Sequence, residues 1–156
     1  MVYNSGMDTD GRELKDMKRI LIILLLLGLL LSVSAAAEEQ PEAMRIHVTD
    51  GTNEVVFQLN DSSAAQSLCE QLPLELDVEN YGSNEKIFYP PEQLNTENVI
   101  EGEGEKGTLA YFSPWGDVVM YYDSFDAYPG LYILGEAVQG ADNIELLSGT
   151  ITITAE

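Results

Sequence analysis

The sequence predicts a mainly β domain, a small closed barrel or sandwich with one main helix, carried behind an export signal. Three observations predict it. From residue 45 to the C-terminus, short segments place apolar residues at every second position, the period of a half-buried strand. Only residues 62–72 keep a helical spacing. Ahead of both, residues 18–37 (KRILIILLLLGLLLSVSAAA) pass from basic to apolar to small, the layout of a secretory signal peptide.

The export segment comes first. Lys18 and Arg19 form its basic start, and Ile20 to Leu31 is a run of twelve apolar residues. Ser34-Ala35-Ala36 and Ala35-Ala36-Ala37 both satisfy a small-x-small rule, so cleavage is expected after Ala36 or Ala37. The alternative is an uncleaved anchor, but a spanning helix needs about 20 apolar residues and this run is shorter. Residues 17–37 are therefore read as the signal. Met17 directly precedes Lys18, and residues 1–16 carry four acids, so 1–16 is expected to be a gene-model extension. The destination is outside the cell or in its envelope, with membrane contact only through this segment if it stays uncleaved.

Residues 38–156 hold Arg45, Lys86 and Lys106 against 23 acidic residues, so they carry the whole formal charge of -20. Nucleic acid is excluded as a partner, because phosphate contacts need clustered Lys and Arg. Such a surface stays soluble and favours cations or basic partners. Cys69 and His47 are the only Cys and His. That leaves no disulfide framework and no zinc or iron–sulfur cluster, and no cofactor is expected.

Residues 38–43 (EEQPEA) are a polar linker, and 44–156 form the domain. A chain of this length can bury roughly two-thirds of its unfolded surface. Arg45–Thr49 alternates and Glu54–Leu59 reads as a second strand, on either side of Asp50-Gly51-Thr52-Asn53, a turn where Gly takes positive φ cheaply, so they form a hairpin. Asn60 to Ser63 supply N-cap oxygens. Ala64, Ala65, Leu68, Cys69 and Leu72 then make the apolar stripe of the helix, which Pro73 stops. Leu74–Val78 alternates apolar and acidic residues, and Lys86–Tyr89 ends at Pro90-Pro91. Residues 92–107 read as a long acidic loop. Thr108–Phe112, Asp117–Tyr122, Leu131–Leu134, Ile144–Leu147 and Thr150–Thr154 read as strands. The domain shows no repeat and no low-complexity tract.

The segments together resemble the bacterial cyclophilin-like domain family. The resemblance runs over about residues 44–156 and rests on YFSPWG at Tyr111 to Gly116 with the strand after it, and on PGLYILG at Pro129 to Gly135. It implies a compact closed barrel like the core of cyclophilins. It implies no activity, because fold does not carry function. Cyclophilins isomerise X-Pro bonds with an Arg beside aromatic and Gln neighbours. Their Phe-His-Arg segment has no counterpart here, and the only Arg after the signal is Arg45.

Aromatic clustering marks the candidate site. Twelve aromatic residues follow residue 37, eleven of them between Tyr81 and Tyr132. Trp115 sits in the Ser113-Pro114-Trp115-Gly116 turn, with Tyr111 before it and Tyr121 and Tyr128 after it. These four are the candidate ligand-binding residues, since Tyr and Trp join an apolar body to a polar tip. The competing role is packing. Neighbours such as Tyr111 and Phe112 face opposite sides of a strand, so about half the rings belong to the core.

Other constellations are weaker. Glu101, Glu103 and Glu105 match no calcium-loop spacing, and no metal site is expected. Asp123 and Asp126 with Asp117 offer carboxylates for acid–base work without further support. Ser113 lacks a nucleophile-elbow context. His47 alternates opposite Ile46 and Val48 and is expected on the wet face, while Cys69 is expected as a small buried apolar residue. No catalytic residue emerges. The reading is an exported, non-enzymatic domain that binds a small molecule or peptide at an aromatic face. A weak or altered prolyl isomerase is the alternative, and an accessory surface domain the third.

Overall fold

The computed structural model describes residues 44–156, and the expectations for 1–16, 17–37 and 38–43 fall outside them. The described chain runs β1 (Arg45–Thr49), β2 (Glu54–Leu59), α1 (Ser63–Cys69), β3 (Leu74–Tyr81), β4 (Glu85–Phe88), β5 (Ile100–Glu101), β6 (Thr108–Phe112), β7 (Asp117–Tyr121), β8 (Leu131–Gln139) and β9 (Gly149–Ala155), with a 3-10 turn at Ala141–Leu146 before β9. Strand order is β2-β1-β9-β3-β4-β7-β6-β8, and β8 pairs back onto β2. That pairing makes an eight-stranded closed barrel and removes the sandwich alternative. Two-residue β5 is added beside β8.

Closure happens along β8, which serves two partners. Leu131 to Glu136 pair with β6, and Gly135 to Gln139 pair with β2. A bulge at the Leu109/Ala110 step lets the strand bend between them. Asn60 secures the seam: its backbone N–H donates to Leu134 O at 2.8 Å and its side-chain amide to Ile133 O at 2.7 Å.

The helix starts where the sequence offers a cap. The Ser62 hydroxyl accepts from the Ala65 N–H at 3.2 Å, satisfying one orphan amide of the first turn. Ala64, Ala65 and Leu68 are buried in the interior core, and Cys69 and Leu72 pack half-buried at its margin. Burial raises the Cys69 thiol pKa. His47 is half-buried, and its Nδ1 lies 2.8 Å from Glu54 Oε1 across the first hairpin.

Ile144–Leu147 is not a strand. Gly140, at φ 74°, turns the chain into the 3-10 segment, and Ile144 and Leu147 are buried. They lie three apart, which is one face of a 3-10 turn, while Leu146 between them is exposed. Three apolar residues in four positions do not separate these periods. The acidic loop 92–107 contains β5, and its Leu94 is buried with its N–H donating to the Tyr111 hydroxyl at 3.3 Å. β3 and β8 extend beyond their expected ends because β4 and β2 supply ladder partners there.

Alternation sorts the barrel into two apolar layers. Phe88, Leu109, Tyr111, Val118, Met120 and Leu134 face the interior with Phe57 and Ile153. Ile87, Ala110, Val119, Tyr121 and Leu131 form a second cluster, with Phe112, Phe125 and Ile133 against it. The outer wall of β4, β7, β6 and β8 is thus apolar as well.

Candidate functional site

On that outer wall, register sets the neighbours. Tyr81 of β3 pairs with Glu85 of β4, and Glu85 pairs with Tyr121 of β7. At the other end, Asp117 pairs with Phe112 of β6, and Phe112 with Leu131 of β8. Val119 lies between these rows. An open concavity of about 330 Å³ is lined by these residues.

Two loops complete it. The β6–β7 turn is closed by N–H donation from Trp115 and Gly116 to Phe112 O, at 3.2 and 2.9 Å. Gly116 adopts φ 76° there, a conformation that costs a side-chain-bearing residue energy. The turn holds Trp115 over the edge of the wall, 53% exposed. Its ring meets Tyr81 edge-on at 5.2 Å and Phe112 at 5.5 Å, and Phe112 meets Tyr128 at 5.9 Å. The β7–β8 loop brings Phe125 onto Tyr121, stacked at 3.7 Å between centroids, and adds Asp126 and Tyr128 to the lining. Edge-to-face contacts such as those of Trp115 and Phe112 suit the ring quadrupoles, so the aromatic frame is packed by its own contacts.

Of the four ligand candidates, Trp115, Tyr121 and Tyr128 line this concavity. Tyr111 does not: it is 1% exposed inside the barrel, because its neighbour Phe112 takes the outward position. Asp117 and Asp126 line the concavity, and Asp123 is not among its lining residues. Glu101, Glu103 and Glu105 are exposed. Among the described residues, no three His, Cys, Asp or Glu side chains gather as a metal would need.

Residues outside the four ligand candidates complete the lining: Tyr81, Phe112 and Phe125 from the same aromatic cluster, with Glu85, Val119 and Leu131. One signal for them exists. Glu85-x-Ile87 and Asp117-x-Val119-x-Tyr121 each put an acid on a strand face that is otherwise apolar.

The electrostatics are one-sided. Among the described residues, no Lys, Arg or His lines the concavity. Lys86, next to Glu85, turns into the barrel and donates to Leu147 O at 2.8 Å. Arg45 lies on β1, with its guanidinium 3.6 Å from Glu156. Burial raises the Asp117 carboxyl pKa. Burial first, and then the Asp117 charge, raise Glu85. Burial, with Glu85 and Asp117, holds the Tyr121 phenol far above its ordinary range.

A family model described as the cyclophilin-like family matches residues 48–156. The chain belongs to the cyclophilin-like family. Among curated proteins none matches it. The barrel is similar to the solution structure of a hypothetical protein from Archaeoglobus fulgidus, at 16% identity and a TM-score of 0.61, over 75% of this chain and 98% of that one. A likeness at that identity is one of fold. Within this cyclophilin-like barrel, the aromatic concavity is built on the outer wall of β4, β7, β6 and β8, whereas Tyr111 and Phe57 fill the inside.

Proposed function

We propose that this protein is an exported, non-enzymatic member of the cyclophilin-like family that binds a small molecule or peptide in the aromatic concavity. The observation that carries the reading is that Trp115, Tyr121 and Tyr128, from two loops and one strand, share a single open concavity with an apolar wall. Concave, mostly apolar sites with a few convergent polar groups are where small ligands bury their surface. Export is supported by the basic, apolar and small-residue order of residues 18–37.

The experiment is a ligand screen by thermal shift on the full chain, because a ligand of the folded state raises its melting temperature. Hits are expected to lose their shift in Trp115→Ala. That variant itself costs only about 1 kcal/mol, the worth of its edge-on ring contacts. If hits shift Trp115→Ala as much as wild type, they bind elsewhere and the reading falls. A screen without hits promotes the accessory-domain reading.

A coupled X-Pro peptide assay addresses the isomerase alternative. Turnover is expected at background, since no guanidinium of the described residues lines the concavity and an ammonium does not replace its planar fork. Turnover lost in Arg45→Ala would establish the isomerase instead. For export, mass spectrometry of the protein from its native host should find an N-terminus just after Ala36 or Ala37. Recovery of the intact chain alone would contradict cleavage.

A further inference from the structure

Asp117 presents a problem that the aromatic frame does not solve. It is 2% exposed, yet it lines the concavity. Its Oδ1 is the one buried side-chain oxygen or nitrogen among the described residues that lacks a hydrogen-bond partner. Buried carboxylate oxygens are normally satisfied, because leaving one dry and unpaired costs a large part of its hydration. The ion pairs among the described residues join other groups: Arg45 and His47 with Glu156, His47 with Glu54, and Lys106 with Asp142. Glu85 and Asp126 line the same concavity, so the orphan oxygen sits among further negative groups.

The rings around it have matching chemistry. Tyr81, Phe112, Trp115 and Tyr128 form a continuous series of edge-on contacts, and aromatic faces attract cations, Trp most strongly. An acid with an empty acceptor, a set of π faces and no competing cation together define the complement of one ligand class.

Building on the proposed binding role, we infer that the concavity takes an organic ammonium ion, a protonated amine on an apolar body, whose N–H donates to Asp117 Oδ1. The donor requirement favours an amine with N–H over a quaternary ammonium, which leaves the oxygen dry. The apolar body lies against Val119 and Leu131, and Trp115 and Tyr128 bound the open side. A free amine and a lysine side chain share this chemistry.

The test uses the full chain and the emission of Trp115, which is the only Trp in the sequence and so reports on this concavity alone. The probes are phenethylamine, its neutral analogue 2-phenylethanol, and a short peptide with one internal lysine. Phenethylamine is expected to bind at least tenfold more tightly than 2-phenylethanol, and Asp117→Asn to abolish that preference while still binding the alcohol. A peptide that binds more tightly than the free amine identifies the source as a lysine side chain, and a weaker one identifies a small amine. Asp117→Asn removes a buried charge, so the variant is expected to fold, and its thermal transition verifies this.

Equal binding of amine and alcohol in wild type overturns the inference while leaving the aromatic concavity as a binding site. Undiminished amine preference in Asp117→Asn also overturns it. No response to either small probe overturns it as well, and the broader thermal-shift screen then decides separately whether the concavity binds anything else.

Discussion

Gly135→Ala is expected to destabilise the barrel by about 3 kcal/mol, near the upper end for a steric insertion into a packed interior. Gly135 pairs with Leu109 of β6 and Leu59 of β2 at the seam where the barrel closes. A Cβ there would lie 2.8 Å from Leu59 Cα and closer still to Gln58 O. Both are backbone atoms held in ladder pairing, so neither moves aside as a flexible side chain would. The reason for glycine at this position is close approach of two strands. The melting temperature should fall by about 10 °C, from the usual scaling for a domain of this size. Gly102→Ala is the control, because its Cβ would meet only the Ile133 side chain, at 3.3 Å. Equal loss in the two variants would show that the seam is not as crowded as described.

The second large effect has the opposite sign. Asp117→Asn is expected to stabilise the free protein by about 1–2 kcal/mol, since it removes an unpaired buried charge. The effect should depend on pH. Burial raises the Asp117 carboxyl, and burial together with Asp117 raises Glu85. The folded chain therefore binds protons that the unfolded chain has released. Stability rises as pH falls from the raised values toward the ordinary carboxylate range, and is lost again as pH climbs.

The groups around Asp117 do not offset this. Glu85, Asp126 and Tyr121 line the same concavity, with no cation among its lining residues, and Tyr89 is raised in part by the Asp117 charge. Asp50 acts the other way. Backbone N–H donation from Asn53, then from Thr52, holds its pKa at about 2, so its contribution is lost as pH falls from 3.8 toward that value. The melting temperature should therefore rise as pH falls through the raised values of Asp117 and Glu85, before the range where Asp50 titrates. Asp117→Asn should flatten that rise. A melting temperature with the same pH dependence in wild type and Asp117→Asn would contradict an uncompensated buried Asp117.

Much of the architecture is local and was legible in residue order. The first hairpin follows from an alternating run and a short apolar run around Asp50-Gly51. The helix follows from an N-cap serine, an apolar stripe and a following proline. β9 follows from a period-two run, because alternation states which side chains share a face before their neighbours are known, and β6 and β7 follow from short apolar runs on either side of the Ser113-Pro114-Trp115-Gly116 turn. Ile144–Leu147 was not legible in this way, since a buried pair three apart with an exposed Leu146 between them fits two periods. The sequence also marked Trp115, Tyr121 and Tyr128 as a cluster, since all three flank one hairpin and the loop after it.

Which rings face which cavity was decided only in three dimensions. Tyr111 and Phe112 are adjacent and equally aromatic, yet one fills the barrel and the other lines the concavity. Alternation demands that they differ and does not say which turns inward. The choice follows from closing the sheet, which turns the faces of Phe57, Phe88, Val118 and Ile153 onto a common interior. Glu85 and Asp117 lie 32 positions apart in the chain. The antiparallel register of β4 on β7 brings them to one concavity. A charge pattern along the chain shows how many acids there are, but the desolvation that leaves Asp117 unpaired exists only once those strands pack.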